Sequence, residues 1–303
     1  MRYHDSTIDL HTHTTASDGA FTPEALVERA RSKGITHLAI TDHDTTLGIA
    51  RAMARAKQDD LLGQIQIIPG VEISTSFKTV QIHIAGLFID PDCEVMKRFV
   101  ERQLSLRKWR AEEMGRKLEG AGFPHIYEEI TEGLPEGSIV TRGNFARYIY
   151  EKGKAKSFED AFNRYLRRGR VGYVNSQWMD IQEAVEIIHQ AGGIAVLAHP
   201  RRYEITNGRL RTLITYFREA GGEAMEVAAC QMKPSDRDFM ATLCVQYGLL
   251  GSAGSDFHHE GSFRELGWNL SIPGKVTPVF EEPRFKGRFE VIPGMNSGRG
   301  TAI

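Results

Sequence analysis

The chain has 303 residues, 25% of them charged and 41% hydrophobic, and a formal net charge of −1 at pH 7. That balance belongs to a globular protein with a sizeable core and excludes a disordered chain, while nothing approaches the 18 consecutive apolar residues of a membrane span. The three cysteines, Cys93, Cys230 and Cys244, are scattered and form no CxxC spacing, which excludes a disulfide framework or thiolate zinc site and leaves plain buried thiols.

In chain order, short apolar runs bounded by turn residues recur at Thr7–Leu10, His37–Thr41, Ile65–Ile73, Val80–Phe88, Gly193–Ala198, Ala224–Ala228 and Leu249–Ser252. They read as buried strands. Amphipathic helical stretches lie between many of them, starting at Thr22-Pro23, where a capping threonine precedes a proline suited to the first helical position. Asp180–Ala191 and Ser235–Tyr247 look similar. This alternation predicts an α/β fold with a mainly parallel sheet, closed or open.

The rhythm breaks between about Glu101 and Gly172, where helices are expected over Arg102–Gly120, Thr141–Lys152 and Ser157–Arg168. The expected organisation is a discontinuous domain over 1–100 and 173–280, a helical insertion domain over 101–172, and a Pro-, Gly- and charge-rich tail over 281–303 whose last dozen residues are poorly ordered. Residues 101–175 carry 15 Lys/Arg against 11 Asp/Glu. A basic segment on an otherwise acidic chain suits a polyanionic ligand, although a solvated helix face has the same composition. No apolar run of signal-peptide length opens the sequence, so a cytoplasmic protein without a membrane partner is expected.

Most of the eleven histidines fall at the carboxyl ends of predicted strands, where α/β enzymes place their sites. In Asp9-Leu-His11-Thr-His13 an extended backbone points both rings to one side. His43 follows the second strand, Glu72 ends the third, His83 alternates within the fourth, His199 follows the fifth, and Asp256-Phe-His258 follows the last. Each alone reads as an ordinary structural group, but six such sites on successive strands would all have to coincide. Imidazole and carboxylate without thiolate suit manganese, iron or zinc. Buried together without a cation, these groups would suffer desolvation and like-charge costs. Two or three divalent ions could lower the pKa of a water and clamp a phosphate, so phosphoester hydrolysis by metal-activated water is the expected reaction.

These residues resemble the polymerase and histidinol phosphatase (PHP) superfamily. DLHxH…SDG stands at Asp9–Gly19, TDHD at Thr41–Asp44, GVEIS at Gly70–Ser74, AHP at Ala198–Pro200 and SDFH at Ser255–His258. The resemblance implies a distorted (β/α)7 barrel with His11, His13, Glu72 and Asp256 on one metal, Glu72, His83 and His199 on a second, and Asp18, His43 and His258 on a third. Manganese is the implied metal, with zinc or iron as alternatives. The chain length and the helical insertion resemble the TrpH/YciV-type subgroup. That likeness implies 3′-phosphate removal from 3′,5′-bisphosphonucleosides such as pAp, and 5′-to-3′ exoribonuclease action on short RNA and ribosomal RNA 5′ ends; no protein partner is inferred. Thr141-Arg142-Gly-Asn144-Phe-Ala-Arg147 is similar to the subgroup's TRxHxAR segment, with Asn144 where histidine is common. Arg142 and Arg147 are then expected to clamp a second phosphate, and Tyr173 to stack a base. Asp9 and Asp42 are expected to orient neighbouring imidazoles. His4, His37, His125, His189 and His259 are expected to be structural or surface groups. Two competing expectations are a histidinol-phosphate or other small-molecule monoesterase and a non-catalytic metal-binding regulatory module; the basic insertion weighs against the first and the complete ligand set against the second.

Overall fold

The structure is a computed structural model that describes residues 6–58, 65–134, 140–175, 178–261 and 264–283. Within them seven strands follow one another around a single sheet in chain order: β1 (Ile8–Asp9), β2 (His37–Ile40), β3 (Gln66–Phe77), β4 (Val80–Leu87), β5 (Ile194–Leu197), β6 (Ala224–Ala228) and β7 (Leu250–Ala253). Hydrogen bonds from Leu10 N to Ala253 O (3.0 Å), Asp256 N to His11 O (2.9 Å) and His13 N to Phe257 O (3.1 Å) join the two edges. The result is a nearly closed barrel.

The pairing is parallel except at β4, which runs antiparallel to both β3 and β5. The cause is local. Only Lys78 and Thr79 separate β3 from β4, with Lys78 at φ 55°, and a two-residue connection can make a hairpin but not the long crossover that a parallel neighbour needs. Strand β3 also runs past the expected end at Ile73 to Phe77, because its outer half pairs with β4. Glu72 is therefore in mid-strand, and the amino-terminal half of β4 points to the barrel mouth.

Helices α1 (Pro23–Ser32), α2 (Leu47–Ala56), α7 (Ile181–Gln190), α8 (Asn207–Glu219) and α9 (Pro234–Gln246) cover the outer face. Thr22 caps α1 by accepting from Ala25 N at 3.2 Å, and Asp180 caps α7 by accepting from Glu183 N at 2.8 Å. The large core lies between sheet and helices and includes Leu26, Ile49, Val71, Ile73, Ile84, Ile188 and Phe217. A smaller cluster, Leu10, Ala39, Ile68, Leu87, Val196, Ala224 and Val279, takes the opposite face of the strands. Because side chains alternate along a strand, Glu72 shares the face of Ile68, and Glu226 that of Ala224. That inner face is apolar at the base and polar at the mouth.

The insertion leaves the barrel through α3 (Glu94–Glu119), which begins eight residues before the expected Arg102. The reason is packing: Met96, Phe99 and Val100 are buried in the barrel core, whereas Ala111, Met114 and Leu118 join a separate cluster with Ile126, Phe145, Ile149 and Leu166. Helices α4 (Ile126–Glu132), α5 (Arg142–Glu151) and α6 (Phe158–Ala161), the last running into a π-turn at Phe162–Leu166, complete it. Asn144 turns back to close the α5 cap, its Oδ1 accepting from Thr141 N at 2.7 Å. Among the described residues no helix is long and apolar enough to cross a membrane. His4 and residues 284–303 of the expected tail lie outside the described residues.

Candidate active site

The carboxylate of Glu72, fully buried, is the hub of the barrel mouth. His83 Nδ1 (2.9 Å) and His199 Nε2 (2.8 Å) donate to its Oε1. His11 Nε2 (3.2 Å), His13 Nε2 (3.2 Å) and His43 Nδ1 (3.0 Å) surround its Oε2. Asp256 Oδ1 stands 3.1 Å from His13 Nε2, and Asp18 Oδ1 3.3 Å from His258 Nε2. All nine residues named from the sequence as ligands thus converge on one place.

Their donor atoms fall into overlapping groups, each contained within 4.8 Å: His11, His13, Glu72 and Asp256; His13, Asp18, His43 and His258; and His43, Glu72 and His83. The first agrees with the set implied by resemblance. The second adds His13, and in the third His43 rather than His199 accompanies His83, while His199 stays on the hub through Glu72 Oε1.

Does this set fit divalent cations? Burial alone would push the Glu72 carboxyl up, but the imidazoles of His43, His11 and His83 hold it well below the usual range. Asp18 is held low in the same way, against burial, by His258 and His43. Burial pushes His43 and His199 down to about 4, so both are neutral near pH 7 with lone pairs free to ligate. The buried atoms Glu72 Oε2, His13 Nδ1 and His199 Nδ1 have no hydrogen-bond partner, which is costly for polar groups out of water unless a cation takes the lone pairs. Against burial, Glu72 and Glu226 push His11 up to about 10, so its proton is one that a bound cation would displace; carboxylates, imidazoles and no thiolate are the donor set of a hard or borderline divalent metal.

Two expectations about support are corrected. Asp9 accepts from the backbone N–H groups of Ser255 (2.9 Å) and Gly267 (3.1 Å), and Asp42 from Thr14 N (2.7 Å), Thr14 Oγ1 (2.7 Å) and Ser17 Oγ (2.6 Å). Among the described residues neither hydrogen-bonds an imidazole; they tie the loops after β1, β2 and β7 together. The group that does orient an imidazole is Glu226 on β6, which the sequence reading passed over. His11 Nδ1 donates to its Oε1 at 2.5 Å, and His199 N to its Oε2 at 2.7 Å. A lone glutamate inside the buried run Ala-Met-Glu-Val-Ala was the available signal. His258 is oriented differently, its Nδ1 donating to the Asp256 carbonyl at 2.9 Å. Left-handed backbone at Asp44 (φ 54°), His199 (φ 30°) and Asp256 (φ 52°) marks the same loops as strained.

A cleft of about 940 Å³ opens from the cluster towards the insertion, lined by Asp18, His43, His83 and His258 on one side and by Arg107, Arg110, Arg142, Arg147 and Trp178 on the other. Arg107 forms a buried ion pair with Asp44 and donates to Ser74 Oγ at 3.0 Å. Among the described residues Arg110 forms no ion pair; its Nε makes a long contact of 3.5 Å to Val174 O, and its guanidinium lies 5.6 Å from the Trp178 ring centre. Burial, then repulsion by Arg142 and Arg107, pushes its pKa down to about 9. Three cations crowded into a partly dry cleft are relieved by an anion of two charges. Arg142 donates to Gln81 Oε1 at 3.2 Å, and the other end of that amide is 3.0 Å from His83 Nε2. One side chain therefore separates the arginines from the metal-type cluster.

Of the expected substrate groups, Arg142 and Arg147 line the cleft and Tyr173 does not. The Tyr173 carbonyl accepts from Lys117 Nζ at 2.9 Å, and its phenol borders Arg110 and Arg142, which do line the cleft. Arg107 and Arg110 were not foreseen, because arginines three apart on a long amphipathic helix look like any solvated pair. On the far side, Arg202 and Arg264 both pair with Asp256.

Comparison with known proteins agrees with this geometry. The PHP domain model matches residues 9–172. The chain is 46% identical to the 5′-3′ exoribonuclease Rnm of Escherichia coli over 90% of its own length and 92% of the relative's. It is 36% identical to the 3′,5′-nucleoside bisphosphate phosphatase of Chromobacterium violaceum over 91% and 95%. Among solved structures, an amidohydrolase from Chromobacterium violaceum with bound sulfate and no metal superposes with a TM-score of 0.85 at 36% identity, covering 91% of this chain and 95% of the other. A metal-dependent phosphoesterase from Bifidobacterium adolescentis gives 0.78 at 27% identity, covering 90% and 95%. With a matching model over more than half its length and such relatives over nearly all of it, the chain belongs to the PHP domain family.

Proposed function

We propose that the protein is a manganese-dependent hydrolase of nucleotide phosphate esters, removing the 3′-phosphate of 3′,5′-bisphosphonucleosides and releasing nucleotides from the 5′ end of short RNA and ribosomal RNA. The observation that carries this reading is the pairing of two sites: the Glu72-centred cluster, and the arginines one glutamine amide away. A bisphosphonucleoside and the first residue of a 5′-phosphorylated RNA are the same object to such a cleft. Each has a 5′-phosphate for the arginines and a 3′-phosphoryl group for the cluster, so one geometry serves both reactions.

In this reading the barrel, residues 1–100 and 173–280, supplies the chemistry, and the insertion, 101–172, holds the second phosphate. His11, His13, Asp18, His43, Glu72, His83, His199, Asp256 and His258 would hold the metal ions. When bound, divalent cations lower the pKa of a water and neutralise charge on a phosphate under attack. The chain's own work is positioning: Glu226 holds His11 in one tautomer, and Arg110 and Arg142 fix the end of the nucleotide that does not react. Arg107 supports them from its ion pair with Asp44.

The test is turnover of pAp and of a short 5′-phosphorylated RNA by the purified protein with Mn2+, with histidinol phosphate alongside. Release of phosphate from pAp and of mononucleotide from RNA is expected. Preference for histidinol phosphate, or no turnover of either nucleotide substrate, would defeat the reading.

A further inference from the structure

Arg264 stands across the metal-type cluster from the arginines of the insertion. A chain of contacts orders the groups between them. Arg142 donates to Gln81 Oε1 at 3.2 Å, Gln81 Nε2 is 3.0 Å from His83 Nε2, and His83 Nδ1 is 2.9 Å from Glu72 Oε1. Beyond the hub, Glu72 Oε2 is 3.2 Å from His13 Nε2, His13 Nε2 is 3.1 Å from Asp256 Oδ1, and Arg264 Nη1 donates to Asp256 Oδ2 at 3.1 Å. The topology agrees. His83 lies on β4 and Asp256 follows β7; in the nearly closed barrel these are separated by β5 and β6 on one side and by β1, β2 and β3 on the other. The cluster therefore lies between two cationic ends, and both open on the same cleft.

The end at Asp256 has more positive charge than its acid balances. Arg202 and Arg264 share Asp256 Oδ2, while Asp256 Oδ1 faces the cluster. The acids next to Arg264 in the chain are engaged elsewhere, Glu260 with Arg29, and Glu265 with Arg29 and Lys33. Arg264 Nε is buried and, among the described residues, has no hydrogen-bond partner, a cost that a bound anion relieves. Of the two arginines, among the described residues, only Arg264 lines the cleft, together with Gln231, His258 and Gly261.

On the nucleotide reading above, on which this inference rests, the insertion arginines hold the 5′-phosphate and the cluster holds the scissile phosphoryl group. Downstream RNA then leaves on the Asp256 side. One side chain, Gln81, separates the cluster from Arg142, and one side chain, Asp256, separates it from Arg264. Phosphates recur once per nucleotide, so an arginine set off from the cluster by a similar span on the other side meets the next phosphate of the chain. We propose that Arg264 binds the first phosphodiester downstream of the scissile one. A 5′-phosphorylated trinucleotide makes this contact, whereas pAp and a 5′-phosphorylated dinucleotide have no phosphate to offer there.

The experiment compares wild type with Arg264→Ala and Arg264→Lys on pAp, the dinucleotide pApA and the trinucleotide pApApA, all with Mn2+. Wild-type turnover is measured first: its absence on all three defeats the nucleotide reading, separately from the inference about Arg264. The quantity read is the ratio of kcat/KM on pApApA to that on pApA, in which any disturbance of Asp256 or of the metal ions cancels. Arg264→Ala is expected to lower this ratio about tenfold or more, and Arg264→Lys to lower it less because the charge remains. For pApApA the slope of log KM against log salt should fall by about 0.7 in the alanine variant, the share of one phosphate on a single strand. If Arg264→Ala does not fold, Arg264→Gln is read in the same way. An unchanged ratio overturns the proposal. That holds whether no substrate is affected or all three lose turnover together, which would assign Arg264 to the scissile group or to the support of Asp256.

Discussion

Glu226 Oε1 lies 2.5 Å from His11 Nδ1, both side chains fully buried, and the other oxygen of the same carboxylate takes the backbone N–H of His199 at 2.7 Å. One carboxylate on β6 thereby fixes the tautomer of a residue after β1 and the backbone of a residue after β5. Loss of such an orienting partner typically costs 10–100-fold in metal affinity or activity. Glu226→Ala should therefore weaken Mn2+ binding by about tenfold or more, measured by calorimetric titration, with Glu226→Gln losing less because its amide oxygen can still accept. Unaltered affinity in the alanine variant would show that His11 is held well enough by its backbone alone.

Metal binding itself should be visible in stability. The cluster brings carboxylates and imidazoles together in a buried mouth, and a ligand that binds only the folded state adds about 2.7 kcal/mol at one hundred times its Kd. Mn2+ is expected to raise Tm, chelator to lower it and abolish hydrolysis, and His11→Ala/His13→Ala to remove both responses. A thermal transition indifferent to Mn2+ in the wild type would contradict the assignment.

Arg110 presents the clearest separation of phosphate binding from chemistry. Hydrogen bonds to charged groups contribute about 1.5–3 kcal/mol, so Arg110→Ala should raise KM for pAp by roughly tenfold to a hundredfold with a smaller effect on kcat. A substrate that has the 3′-phosphate but lacks the 5′-phosphate should be hardly affected. Because the substitution also relieves crowding among Arg107, Arg110 and Arg142, no large loss of stability should accompany it. Equal loss on both substrates would place Arg110 outside the second phosphate site.

The Arg107–Asp44 pair joins the insertion to the barrel at a buried point, with Asp44 Oδ1 also accepting from Ser74 N at 2.7 Å. Removing one partner of such a pair leaves an unpaired charge, at a cost of about 3–5 kcal/mol. Arg107→Ala should show that loss in denaturant unfolding, and changing Asp44 to alanine as well should restore part of it. A change below about 1 kcal/mol for the single variant would mean that water compensates Asp44.

Gly254 admits the close approach of two chain segments below the cluster: a Cβ there would sit 2.2 Å from His11 Cβ and 2.9 Å from His11 N. Overpacking of this kind costs about 1–3 kcal/mol, and here the atom that must yield carries a candidate ligand. Gly254→Ala should lower both stability and Mn2+ affinity. A fall in stability with affinity intact would indicate that the strain is absorbed away from His11.

Much of the candidate site could be read from the chain because its residues are chemically conspicuous and sit where strands end. His11, His13, His43, His199, Asp256 and His258 follow apolar runs, and the structure brings all of them to the barrel mouth. His83 is at that mouth for a reason the periodicity did not convey: β4 runs backwards, so a residue near the start of the strand lies where other strands finish. The two-residue connection at Lys78-Thr79 contained that information. Glu226 was also legible in principle, as a charge embedded in an apolar strand.

By itself the sequence determined the chemistry available: imidazole and carboxylate donors, no paired thiols, and the alternation of apolar strands with amphipathic helices, all of which follow from residue type and local period. Only the tertiary structure decided which acid orients His11 and which of many arginines meet in the cleft. Arg107 and Arg110 have the same local pattern as solvated helix residues, and their meaning comes from what α3 packs against. Distances between residues far apart in the chain depend on closure of the barrel and on the path of the insertion, and no local preference encodes either.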